Sequence, residues 1–178
     1  MSVIPVVIAA AAAIAVAVPA SHTNSNGLST DTTPLLSFGV GGFDVRNNAE
    51  RDIATDMRVE YRFGEPLWYV FKPLIALEAN SDGSGGAFAG IAADWMIHDR
   101  FTVTPSFAAG LWSSGSGKDL GSAIEFRSQI ELGYRFENSW RVSGAFAHIS
   151  NGGLADRNPG VETATVYLHV PADTLLPR

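Results

Sequence analysis

The sequence predicts an all-β protein, an eight-stranded antiparallel transmembrane β-barrel. Three observations predict it: alternation with period two after residue 34, an even number of long alternating segments, and connections that are tight at one end and mostly longer at the other. The alternation is clearest over 53–63, where Ile53, Thr55, Met57, Val59, Tyr61 and Phe63 fall on one face and Ala54, Asp56, Arg58, Glu60 and Arg62 on the other. Residues 124–136 repeat it, with Ile124, Phe126, Ser128, Ile130, Leu132, Tyr134 and Phe136 set against Glu125, Arg127, Gln129, Glu131, Gly133 and Arg135. The expected strands are about 35–44, 53–64, 70–80, 86–97, 100–111, 121–136, 139–149 and 161–170. Eight strands allow closure without a free edge.

His98-Asp99 and Glu137-Asn138 read as tight turns, and 65–69 is intermediate. The connections at 45–52, 81–85, 112–120 and 150–160 are mostly longer and rich in Gly, Ser, Asn and Asp. With both termini periplasmic, the longer loops lie outside the cell, the asymmetry of outer-membrane barrels. Aromatic residues near strand ends (Phe38, Phe43, Trp68, Tyr69, Phe71, Trp95, Phe101, Trp112, Tyr134, Phe136 and Trp140) fit interfacial girdles.

Alternation does not say which face is inside. A soluble lipocalin-like binder would put the apolar face inward. Here the polar face carries dense charges of both signs, and an eight-stranded barrel has a narrow lumen filled by side chains. Asp56, Arg58, Glu60, Arg62, Glu125, Arg127, Glu131 and Arg135 are therefore read as a lumen ion network with a structural role.

Composition agrees. The 178 residues suit one domain, 46% are hydrophobic, and only 17% are charged, below the soluble average of about 25%. A net charge of −6 argues against nucleic acid as a partner, and the absence of cysteine excludes disulfides and a thiol nucleophile. Val3 to Val18 are almost all Ala, Val and Ile, followed by Val18-Pro19-Ala20 and a polar stretch. Residues 1–20 read as a signal peptide cleaved after Ala20, although Met1 to Pro5 lacks Lys and Arg. The run is shorter than the roughly 20 residues an anchor helix needs. Residues 21–33 then form a flexible lead-in, 34–170 the barrel and 171–178 a C-terminal tail.

The chemistry concentrates in 146–162. His148 and Ser150 lie two apart on one strand and share a face with Trp140, Val142, Gly144 and Phe146. Glu162 shares a face with Ala164, Val166, Leu168 and Val170. A His, a Ser and a Glu thus point outward near the extracellular ends of two hairpin-paired strands. Charged groups facing hydrocarbon are costly unless paired or near the interface. The three read either as nucleophile, general base and orienting acid, or as unrelated residues at a wet rim.

His148-x-Ser150-Asn151, a Gly-containing loop, and Asn158-x-Gly160-x-Glu162 resemble the signature of the outer-membrane lipid A 3-O-deacylases (PagL type). The resemblance implies a serine esterase acting on the 3-position ester of lipid A, with His148, Ser150 and Glu162 as the triad. It implies that Asn158 helps hold the oxyanion, with the Gly153 N–H as second donor, and that Asn151 positions the loop. The implied substrate is lipid A or lipopolysaccharide, the location the Gram-negative outer membrane, and no cofactor is required. A homodimer is left open. Two departures stand out: Gly152 where Ala is more usual, and a chain that runs past Val170 into Pro171 to Arg178 instead of ending on an aromatic residue.

His22, His98 and His169 have no partner at ligand spacing, so no metal site is expected. Asp156 reads as a solvated or turn-forming residue, and Gly85-Gly86 and Gly115-x-Gly117 as turn glycines. The rival readings are a non-enzymatic structural or adhesive barrel and a related outer-membrane phospholipase or esterase.

Overall fold

The computed structural model describes residues 28–46 and 53–175. The expected signal peptide, residues 21–27 of the lead-in, residues 47–52 of the first outer loop and residues 176–178 of the tail lie outside the described residues.

Ten strands are described: β1 Leu28–Thr30, β2 Leu35–Phe43, β3 Ala54–Arg62, β4 Phe71–Asn80, β5 Gly85–Ala93, β6 Trp95–Ile97, β7 Phe101–Ser113, β8 Ile124–Arg135, β9 Arg141–Ser150 and β10 Val161–Pro171, with a helical turn α1 at Ala172–Leu175. β5 and β6 flank Asp94 and both pair with β7, so together they make one barrel strand. The order β7-β5-β4-β3-β2-β10-β9-β8 closes through the β7–β8 pairing into eight antiparallel staves. Ten residues at about 3.3 Å each, tilted by about 40°, rise roughly 25 Å, the height of a lipid-facing apolar band.

The burial pattern fixes the faces. Along β3, Met57 is 64% exposed and Val59 44%, while Asp56, Arg58, Glu60 and Arg62 are all but fully buried. Apolar side chains face out and charges face in, the inverse of a lipocalin. Six of the eight expected members, Asp56, Arg58, Glu60, Arg62, Arg127 and Glu131, form a lumen network, which Glu78, Asp94 and Lys72 extend. Arg58 bonds Asp56 at 2.7 Å and Glu78 at 3.0 Å. Arg127 joins Glu78 to Glu60, and Arg62 joins Glu60 to Asp94 and Glu131. Lys72 reaches Asp94 at 2.6 Å. Each cation is held by at least one carboxylate, which is the condition for burying charge at all. Arg135, half-buried at the lower rim, bonds Ser139 Oγ instead. Glu125 is buried but neither of its carboxylate oxygens has a partner.

Three expectations need correction. Residues 28–33 are not a free lead-in. β1 pairs with β6, Lys72 Nζ donates to the Asp31 carbonyl at 2.9 Å, and the Asp31 carboxylate pairs with Arg141. Opposite charge in the lumen draws this segment against the lower mouth. The Asp94 carbonyl accepts the Asp31 N–H at 3.2 Å, which interrupts the expected strand 86–97.

Phe43, Trp95 and Trp112 are not girdle residues, because their parity turns them inward and they are buried. Phe43 stacks on Trp112 with ring centroids 5.4 Å apart, and with Phe88 and Leu120 they plug the upper lumen. The lower girdle is built as expected from Trp68, Tyr69, Phe101, Phe136 and Trp140, all exposed. The tail begins as the last residue of β10 and turns into α1, whose Ala172 N–H donates to the Pro34 carbonyl at 2.9 Å.

Candidate active site

β9 lies between β8 and β10. Register sets Glu162 of β10 directly opposite His148, and Ser128 of β8 opposite it on the other side. Directly opposed residues on one face hold their Cβ atoms about 5 Å apart. Parity points all three outward. Ser150, two residues along β9, shares the face, and its cross-strand partner is Phe126. The expected trio is thus gathered in one place. His148 Nδ1 lies 3.3 Å from Glu162 Oε1, and Ser150 is buried. The separation is longer than the roughly 2.8 Å of a formed charge-assisted bond. Neither ring nitrogen of His148 has a hydrogen-bond partner. Catalytic contacts are often loose until substrate closes the site.

Gly160 sets the imidazole edge. Its φ is +62°, and a Cβ there would stand 2.8 Å from His148 Cε1 and 3.3 Å from Nε2. Only glycine fits both the left-handed backbone and the space. Nδ1 thus lies toward Glu162 on β10, and the Cε1–Nε2 edge of the ring lies against Gly160.

The loop between β9 and β10 is braced from within. Asn151 is fully buried. Its Nδ2 donates to the carbonyls of Leu120 at 3.0 Å and Arg157 at 2.7 Å, and its Oδ1 accepts the Gly153 N–H at 2.9 Å. These three bonds tie the loop together around the Asn151 side chain. The Gly153 N–H, expected to face an oxyanion, is engaged by Asn151 here. Asn158 Oδ1 accepts the Asn151 N–H at 3.1 Å, which leaves the Nδ2 end of the exposed Asn158 amide for other use. Gly152 has φ +64°, so the departure from Ala suits the backbone.

Sequence reasoning missed three neighbours. Arg46 Nη1 approaches Glu162 Oε1 at 3.9 Å from the first outer loop. Ser128 was seen only as one of an alternating set, although a hairpin turning at Glu137-Asn138 fixes its pairing with His148. Leu120, which anchors Asn151, carries no local signal. His169, which has no partner at ligand spacing in the sequence, lies in the lumen between Ser37 and Ser143 hydroxyls, each at 2.7 Å, and beside Glu131 at 3.1 Å. It is part of the ion network. Among the described residues no cluster of three metal-ligating side chains occurs.

Fold and site together define an integral outer-membrane β-barrel with an acid–base cluster set in its lipid-facing wall. Residues 75–171, more than half of the chain, match the family model of lipid A 3-O-deacylase (PagL). The chain belongs to that family. It is 34% identical over 70 residues to the lipid A deacylase PagL of Bordetella bronchiseptica, covering 38% of this chain and 39% of that protein. It is 33% identical over 54 residues to the lipid A deacylase PagL of Pseudomonas aeruginosa, covering 30% and 31%. These matches thus span under two fifths of each curated relative. A crystal structure of the outer membrane enzyme PagL superimposes with a TM-score of 0.61 over 77% of this chain and 99% of that one, at 17% identity, a likeness of fold.

Proposed function

We propose that this protein deacylates lipid A, hydrolysing the ester that links a 3-hydroxyacyl chain at position 3, with Ser150 as nucleophile, His148 as general base and Glu162 as its orienting acid. The observation that carries this reading is the outward row in which Glu162 stands 3.3 Å from His148 Nδ1, with Ser150 on the same face of β9. Among the described strand residues, Glu162 is the one carboxylate on a wall whose other outward positions are mostly apolar. A site on the outer wall near the outer loops meets lipid of the outer leaflet, which supports a lipid ester as substrate.

Lipid A reaches the wall of β8–β10 by lateral diffusion. His148 Nε2 takes the Ser150 proton as Oγ attacks the ester carbonyl, and Glu162 stabilises the imidazolium. Asn158 Nδ2 is the first oxyanion donor. For the Gly153 N–H to join it, the bond to Asn151 Oδ1 has to break. The sugar alcohol leaves with the proton from His148, and water then hydrolyses the acyl-enzyme to free the fatty acid.

Mass spectrometry of lipid A from cells with and without the protein tests the reading. The expected result is loss of one 3-hydroxyacyl chain, abolished by Ser150→Ala, with a drop in rate of at least ~10³-fold and a barrel that still folds. Release of the same fatty acid by the Ser150→Ala protein would remove Ser150 from its role. A change in phospholipids alone would move the substrate to that class.

A further inference from the structure

We infer that Ser128 holds the water that hydrolyses the acyl-enzyme; the inference rests on the triad reading above. The outward row of β8 reads Ile124, Phe126, Ser128, Ile130, Leu132 and Tyr134, so Ser128 is a hydroxyl in the middle of an apolar strip. It is in register with His148 on the side away from Glu162. It is only 7% exposed, and its other cross-strand partner is Phe107. The imidazole presents Nδ1 to Glu162 and its Cε1–Nε2 edge to Gly160, and Ser150 and Ser128 are the two hydroxyls that parity and register set beside it on the same outward face.

The first half of the reaction uses Ser150. In the second half Ser150 Oγ is esterified and has no proton to offer. A water must then stand beside Nε2 on a wall that faces hydrocarbon, where an unpartnered water is costly. Ser128 Oγ supplies a partner at the right strand position. The water oxygen bonds to the acyl carbon, its proton passes to Nε2, and the bond from that carbon to Ser150 Oγ breaks as Oγ recovers the proton. The products are a free fatty acid and the starting enzyme. Ser128 is not consumed.

The test is burst kinetics on the full-length protein in detergent micelles with a p-nitrophenyl acyl ester, alongside intact-mass measurement. Ser128→Ala is expected to keep a burst of about one product per enzyme, to lose about tenfold or more in steady-state rate, and to accumulate an acyl adduct on Ser150. Ser128→Thr is expected to restore turnover. Steady-state turnover equal to the parent, or burst and steady state falling together, overturns the proposal. If Ser128→Ala fails to fold, the near-isosteric pair Ser128→Thr and Ser128→Val isolates the hydroxyl. Equal deacylation rates in those two overturn it, and faster deacylation with Thr supports it. A burst that survives Ser150→Ala would instead sink the underlying triad reading, so the two failures are distinguishable.

Discussion

Gly160 combines two constraints in one position. Its backbone is left-handed, and its missing side chain leaves room for the His148 edge. Gly160→Ala should therefore displace the imidazole while leaving the strand ladders intact. The expected outcome is a folded barrel with deacylation reduced by about 10²-fold, the size of effect that a 1 Å misplacement gives. It is read as a rate beside an unchanged heat-induced shift in gel mobility. At this scale the sequence revealed much. Parity alone turned His148, Ser150 and Glu162 outward, and the motif spacing singled out Gly160 without saying why. The approach of Gly160 to the imidazole edge depends on the fold of the β9–β10 loop, which no local pattern encodes. Parity also carried a signal that an emphasis on girdles hid. Phe43 and Trp112 each stand one residue off the outward rows of their strands, and both turn into the lumen.

At the level of elements, the site depends on two loops that are joined through the buried Asn151 amide and, at the surface, by the Arg157–Asp119 pair at 3.2 Å. Asn151 ties the β9–β10 loop to itself at Arg157 and Gly153 and to the β7–β8 loop at Leu120. Asn151→Ala removes all three bonds and strands the buried Leu120 carbonyl, a cost of about 1–3 kcal/mol. Limited proteolysis should then cut within residues 114–123 and 151–160 sooner than in the parent, and activity should fall with it. The strands themselves were legible because period two is a property of neighbours in sequence, and their ends agree to within a few residues. The break at Asp94 was not legible. It arises because the Asp94 carbonyl accepts the Asp31 N–H and its carboxylate meets Arg62 and Lys72, partners 22 to 63 residues away. The ordered course of residues 28–33 has the same origin, since Asp31 is held by Arg141 far along the chain.

Across the whole molecule, stability is divided between an apolar outer wall in lipid and a lumen of paired charges. Arg58 is the densest node, with bonds to Asp56, Glu78, Gln129 and Thr163. Arg58→Met leaves Asp56 without its 2.7 Å cationic partner and deprives Glu78 of one of its two. Breaking a buried pair in this way costs about 3–5 kcal/mol. Urea unfolding in micelles should show that loss, while kcat of the fraction that remains folded stays near the parent value, because the lumen and the outer-wall site lie on opposite faces of the sheet. The sequence identified this network by its mixed charge, and it could not show which partners meet, since pairing runs between strands as far apart as β3 and β8. The interior has one further consequence. The Phe43–Trp112 stack seals its upper end, the Asp31 segment its lower end, and linked ion pairs occupy the space between. Among the described residues, these side chains obstruct the lumen to ions and solutes. The outer membrane therefore keeps its permeability barrier however many copies it carries, and planar bilayers containing the protein should show no channel currents.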